Sequence, residues 1–276
     1  MHQGSSFNDY KTLNSQSRKV DWMSAIANDK PLSAVTIPGT HESLSLYGGP
    51  LLRCQFWRLD SQLDAGLRYF DIHVEGHVFG NEISVADGIF GKHEPFTNVM
   101  KTLKNFLEMH RSETVLLRVT AHGLNKRKAI KNLKKLLKQD GGVWVGPSVP
   151  SMGDARGKII VVQSPDLPLG VLNRDTYVAG DDKFKSHENK MKRIRKHLAY
   201  AGSICASTVV LTESSASWLL KGPRGVAEMI NPDLYNYLND LQGSKDRPKC
   251  LGVIAMDFPG PDLIKAIIDF NFELEN

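Results

Sequence analysis

His41 is the residue whose setting first suggests chemistry. It follows Pro38-Gly39-Thr40 at the end of a short apolar run and is followed by Glu42 and Ser43. An imidazole, with an unperturbed pKa of about 6.5, takes a proton from a hydroxyl near neutral pH. A lone histidine after a Pro-Gly turn is more often structural, so the groups that accompany it decide. Later apolar runs are closed in the same way by Asp71, His73 and Glu75, then by Asp87, Thr120, Ser164, Glu213 and Asp257.

The elements that would carry these groups read as strands and helices in alternation. Strands are expected at 33–37, 67–74, 83–85, 114–120, 158–163, 208–212 and 251–256, all nearly continuous apolar runs, as in strands buried on both faces of a parallel sheet. Helical spacing marks 97–110, 126–139, 186–202, 225–241 and 262–270. The alternation predicts an α/β fold, and no Pro/Gly/Ser linker divides it. No G-x-G-x-x-G follows the first strand, which favours a barrel over a doubly wound sheet. In a barrel the loops at the C-terminal strand ends carry the chemistry, which is where the polar groups lie.

Composition sets wide bounds. The chain has 276 residues, 41% hydrophobic and 24% charged, with a formal charge of +5 and a pI near 9.0. Much of the excess lies in 126–138 and 183–196, where basic residues alternate with Ile, Leu and Met as on solvated helix faces; an anion-binding surface is the second reading. No aromatic-interleaved basic motif or helix-turn-helix signature is present, so nucleic acid is not an expected partner. Cys54, Cys205 and Cys250 are too few and scattered for a disulfide framework or a metal knuckle and are expected to be buried free thiols. Residues 1–19 are polar without an apolar leader, and no run approaches the roughly 18 apolar residues of a membrane span. A cytoplasmic protein is expected, or a secreted one whose signal has been removed.

Read together, Trp22-Met23, Leu32-Ser33, Ile37-Pro38-Gly39-Thr40-His41, Gln62-Leu63, Gly66-Leu67-Arg68-Tyr69-Phe70-Asp71-Ile72 and Ser112-Glu113-Thr114-Val115 resemble the catalytic X domain of phosphatidylinositol-specific phospholipase C. Arg156-Gly157-Lys158-Ile159, Ile230-Asn231-Pro232 and Ile254-Ala255-Met256-Asp257-Phe258 continue the match in order, so the resemblance runs from about Trp22 to Phe270. It is similar to the small single-domain form found in bacteria and in related animal proteins. The resemblance implies a single-domain, distorted TIM-type (β/α) barrel over 21–276, preceded by an N-terminal extension, 1–20.

It also implies roles. In that family one histidine is general base on the inositol 2-hydroxyl, a second is general acid for the diacylglycerol leaving group, and an arginine or a calcium ion stabilises the phosphate. His41 matches the base and Asp257 the aspartate that orients it, although a helix N-cap would suit Asp257 as well. The second histidine is replaced by Asp87, which would have to be protonated to act as an acid. The arginine position holds His73, mostly neutral near pH 7 at its unperturbed pKa of about 6.5 and so a weaker clamp. In a calcium-dependent branch Glu42, Asp71 and His73 would hold a divalent cation, though a Glu, Asp and His set is softer than calcium prefers. Thr120 and Ser164 stand where basic residues contact inositol, while Tyr177 and Trp218 would flank the ring. The implied ligand is a phosphoinositide or another phosphate-bearing small molecule. Peripheral membrane contact would come through Tyr47 to Leu52 and Trp218 to Leu220. Two functions follow: a phospholipase C-like protein with a degenerate site that binds more than it cleaves, or a metal-dependent phosphoric diester hydrolase.

Overall fold

The computed structural model describes residues 5–77, 80, 82–86, 94–175, 186–216 and 221–273. Among them the strands are β1 (Ile37–Thr40), β2 (Tyr69–Gly76), β3 (Ile83–Val85), β4 (Val115–His122), β5 (Val143–Trp144), β6 (Ile159–Val162), β7 (Asn173–Asp175), β8 (Val209–Glu213) and β9 (Val253–Met256); β5 and the polar β7 were not expected from the sequence. They make one sheet in the order β5-β6-β4-β2-β1-β9-β8-β7, parallel throughout except for β3, which pairs antiparallel with β2. The sheet curls into an incomplete barrel, and a single parallel bridge from Val162 to Val171 ties β6 to the stretch before β7. The first expected strand, 33–37, is corrected: residues Leu32–Ala34 form a 3-10 turn closed by Val35 N donating to Leu32 O at 3.2 Å, so extended pairing begins only at Ile37.

Helices α1 (Gly49–Leu52), α2 (Leu59–Asp64), α3 (Phe96–Met109), α4 (Lys126–Gln139), α5 (Met152–Ala155), α6 (His187–Ile204), α7 (Gly222–Gln242) and α8 (Pro261–Asp269) connect the strands. In α4 the buried residues Ala129, Leu133 and Leu137 recur every fourth position, leaving the lysines on the outer face. In α6 Lys190 departs from that pattern: it is buried and its Nζ donates to the carbonyl of Ser215.

Alternation along the strands divides the core in two. Phe70, Ile72 and Val74 of β2 face the helices, together with Leu103, Leu133 and Ile264. Tyr69 faces the lumen with Ile37, Leu116, Ile160, Val209 and Val253, which fill its lower part. Asp71 and His73 share Tyr69's face one and two steps higher, so the polar residues of β2 rise out of an apolar plug. No described helix is long and apolar enough to cross a membrane.

The lower end is held by a fully buried ion pair. Arg68 Nε donates to Glu113 Oε2 at 2.9 Å, and the guanidinium also donates to the carbonyls of Leu63, Leu67, Lys19 and Val20. Glu113 Oε1 accepts from Met23 N and Ser112 Oγ. The pair therefore stitches the segment before Trp22 to β2 and β4.

The expectation of three free thiols is corrected at two positions. Cys205, at the C-cap of α6, and Cys250, just before β9, form a disulfide with Cα atoms 6.1 Å apart; only Cys54 is free. Scatter along the sequence was no guide, because α6 and the β9 entry are neighbours in space. Chain entropy alone assigns a cross-link of this loop length about 4 kcal/mol.

Arg68→Met should cost about 3–5 kcal/mol, since Glu113 would remain buried without its charge partner. Urea unfolding measures it, and a loss below about 1 kcal/mol would show that the pair is not what holds the lower end together.

Candidate active site

The site is built by two neighbouring strands. Gly39 in β1 lies against Tyr69, where a Cβ would come within 2.6 Å of the Tyr69 side chain and 2.9 Å of its carbonyl, so only glycine allows this approach. Thr40 pairs with Met256 in the last step of the β1–β9 register, and His41 N extends the ladder to Met256 O at 3.0 Å. His41 and Asp257 consequently emerge side by side, with His41 Nδ1 and Asp257 Oδ1 at 2.9 Å. Asp257 is not a helix cap; α8 is capped by Gly260.

Each of the two is followed by a non-glycine residue in the left-handed region, Glu42 at φ 38° and Phe258 at φ 45°. Such backbone costs of the order of 1–3 kcal/mol and needs support from its surroundings. Two buried amides supply it. Gln55 Nε2 donates to His41 O and Met256 O at 2.8 and 2.9 Å, and Asn231 Nδ2 donates to Asp257 O and Phe258 O at 2.9 and 3.0 Å.

The second ring nitrogen of His41 is also engaged: Nε2 lies 3.1 Å from Oε1 of Glu213 at the end of β8. Burial disfavours charge on the imidazole, but the Glu213 and Asp257 carboxylates outweigh it and raise the His41 pKa well above the usual histidine value.

A second cluster lies on β2 and β4. Asp71 Oδ2 accepts from Glu42 N at 3.2 Å and lies 3.3 Å from His73 Nε2, while His73 Nδ1 meets His122 Nε2 at 2.9 Å. Glu42 Oε1 is 3.9 Å from His73 Nδ1. Two proton placements meet this geometry: a doubly protonated His73 donating to Asp71 and to His122, or a neutral His73 whose Nε2–H donates to Asp71 while its Nδ1 accepts from His122 Nε2–H. Burial opposes charge on His73, yet Asp71 and Glu42 prevail and raise its pKa; burial and the His73 charge lower that of His122. Burial likewise opposes ionisation of Asp71, but His73 holds its carboxyl below the ordinary range, with His41 and Arg118 adding to the effect. Sequence gives the type of this residue but not its two carboxylate neighbours, which shift its pKa upward from the unperturbed histidine value.

The other expected positions separate. Thr120 is in register with His73 and half-buried. Ser164 Oγ donates to Val119 O at 2.6 Å and accepts from Leu167 N at 3.1 Å, so its hydroxyl is committed to the turn after β6. Asp87, Tyr177 and Trp218 lie outside the described residues. Sequence reading passed over Arg118, which sits inside an apolar run in register with Asp71, and His122, because β4 runs two residues beyond the expected end at 120. Glu42, Asp71 and His73 do not fit calcium. That ion takes six to eight oxygens, whereas this trio offers an imidazole nitrogen and two carboxylates, of which Asp71 already accepts from Glu42 N and faces His73.

Residues 28–165 match the family described as phosphatidylinositol-specific phospholipase C, X domain. The chain belongs to that family. It is 27% identical over 275 residues to the 1-phosphatidylinositol phosphodiesterase of Listeria monocytogenes, covering 91% of this chain and 84% of that protein. The solved Listeria monocytogenes phosphatidylinositol-specific phospholipase C superposes with a TM-score of 0.80 at 24% identity, over 92% of this chain and 99% of that one. A Staphylococcus aureus phosphatidylinositol-specific phospholipase C structure, from work on modulation of its membrane binding, gives 0.73 at 19% identity over 94% and 100%. These structures share the incomplete barrel, which is the fold expected from the sequence.

His41 should titrate above the unperturbed histidine value of about 6.5 when its imidazole resonances are followed by NMR. Glu213→Gln should lower the midpoint by removing one carboxylate. The linkage has a definite sign: a raised folded pKa contributes stability that is complete below about pH 6.5 and lost as pH rises through the folded value. An unchanged midpoint in Glu213→Gln would show that the second carboxylate does not charge the ring.

Proposed function

We propose that this protein is a phospholipase C-like binder of phosphoinositide headgroups that cleaves them far more slowly than a site with two available histidines. The observation that carries this reading is that both ring nitrogens of His41 are held by carboxylates, Asp257 at 2.9 Å and Glu213 at 3.1 Å. An inositol hydroxyl must displace Glu213 before Nε2 can receive its proton, and the charged ring has first to lose one. The sequence adds the second deficit: Asp87 stands where an acid histidine is expected. Loss of a general acid costs about 10² to 10⁴ in rate.

Binding keeps its supports. Arg118, in register with Asp71, and His73, whose pKa Asp71 and Glu42 raise, bring basic groups to a phosphate at the mouth. For the alternative, a divalent-metal diesterase, Glu42, Asp71 and His73 do not form a grouping of three ligand atoms within 4.8 Å of one another among the described residues. The Cys205–Cys250 disulfide favours an oxidising compartment, and with it the secreted alternative over the cytoplasmic one. At the rim Tyr47, Leu51 and Leu52 are exposed, and Leu124 on the β4–α4 loop is fully exposed beside Lys126, Arg127 and Lys128. Apolar tips with basic neighbours suit an anionic bilayer surface, where each basic residue contributes about 1 kcal/mol.

Two results are expected. On phosphatidylinositol vesicles in chelator, cleavage by the unmodified protein should lie close to background. Asp87→His should raise it by at least about tenfold, and adding His73→Arg should gain less, because Asp71 and Glu42 already favour the protonated form of His73. Robust metal-free cleavage abolished by His41→Ala would overturn the proposal. In sedimentation, binding to vesicles containing anionic lipid should exceed binding to neutral ones and should weaken in Leu51→Asp and Leu124→Asp. Absence of binding to either vesicle would remove the membrane role.

A further inference from the structure

Cys54 has no part in the acid–base reading, yet it is built into the centre of the site. Its N–H donates to Ser45 O at 3.0 Å and its carbonyl accepts from Phe258 N at 3.1 Å, which fixes it between the turns that follow β1 and β9. The side chain is buried, with Sγ 3.5 Å from Glu42 Oε2. One ring nitrogen of His41, the Cys54 sulfur and one Asp257 carboxylate oxygen all lie within 4.8 Å of one another, the one such grouping of three metal-ligating side chains among the described residues.

We propose that His41, Cys54 and Asp257 form a site for a divalent transition metal of the zinc class, whose occupation takes His41 out of use as a base. The donor set selects the metal. Sulfur, imidazole nitrogen and carboxylate oxygen together suit a borderline-soft, four-coordinate ion and exclude calcium or magnesium, which take oxygen. Ligand bonds of about 2.0–2.3 Å in a tetrahedron place donors roughly 3.3–3.8 Å apart, so the trio closes by side-chain rotation of about an ångström. Glu42 Oε2, already facing the sulfur, is placed to become the fourth ligand.

The step balances without electron transfer. One M²⁺ enters, the thiol and the charged imidazole each release a proton, and thiolate, neutral imidazole and carboxylate remain around the ion. Without the cation the thiol is inert, because burial and then the Asp257 charge hold its pKa well above the ordinary value. The inference does not depend on turnover or on a lipid ligand, since it concerns a binding equilibrium of the folded chain.

A rival site exists. The His73–His122 pair, with nitrogens 2.9 Å apart, could hold the same ions through nitrogen alone. Cobalt(II) separates the two, because only the proposed site gives a thiolate-to-cobalt charge-transfer band in the near ultraviolet. Titration of the full chain with cobalt should produce that band at one equivalent, zinc should abolish it, and calcium should not. Cys54→Ser and Cys54→Ala should both lose the band and weaken zinc binding, measured against a chromogenic chelator, by about tenfold or more, while His122→Gln should leave both properties intact. Thermal melting followed by circular dichroism establishes that each variant is folded, and two Cys54 variants guard against failure of either. Cobalt bound without a sulfur band, or zinc binding lost in His122→Gln and kept in both Cys54 variants, would overturn the assignment.

Discussion

The site depends on one pairing, the register of β1 against β9. Thr40 opposite Met256 places the next residue of each strand, His41 and Asp257, at hydrogen-bond distance although 216 positions separate them in sequence. A slip of one residue would turn the His41 side chain away from Asp257, because successive side chains point to opposite faces. Several features guard this register. Gly39 lets β1 approach Tyr69, Gln55 bridges the carbonyls of His41 and Met256, and Asn231 binds the carbonyls of Asp257 and Phe258. Sequence-distant amides thus hold the two strained turns that present the dyad.

Above that frame, neighbouring charges decide the chemistry. Low dielectric magnifies each of them, so an imidazole between two carboxylates is a cation first and a base second. The carboxylates raise the pKa of His41, between Asp257 and Glu213, and that of His73, between Asp71 and Glu42. The barrel mouth therefore sets imidazole against carboxylate twice. An anionic ligand arriving there competes with protein carboxylates for the same cations, which makes binding weaker than the number of basic groups would suggest.

Much of this was legible in the residues. Nearly continuous apolar runs marked the parallel strands other than the short β5 and the polar β7, and their closing residues included His41, Asp71, His73 and Asp257. What stayed hidden has physical causes. Arg118 and Gln55 carry no periodic signal, since a polar residue inside an apolar run or a loop reads as noise until its neighbours are known. His122 was missed because strand ends are fixed by the partner strand: β4 continues as far as β2 can pair with it. The Cys205–Cys250 bridge and the raised pKa of His73 both depend on contacts between distant segments, which spacing along one chain does not encode.

The two ends of the barrel use buried charge differently, and the contrast separates structure from function. At the lower end each of Arg68's five N–H groups has an acceptor, Glu113 on one and backbone carbonyls on four, so nothing is left over for a ligand. At the mouth Asp71 Oδ1 is buried with no hydrogen-bond partner among the described residues, although its other oxygen accepts from Glu42 N and faces His73. An unused acceptor of this kind costs about 1–3 kcal/mol if nothing fills it. A fold indifferent to ligands gains nothing by keeping that cost in β2, one step above Tyr69 on the same face. A hydroxyl donor or a cation settling there would recover it, which is the physical sense in which this end of the barrel is a site and the other a fastening.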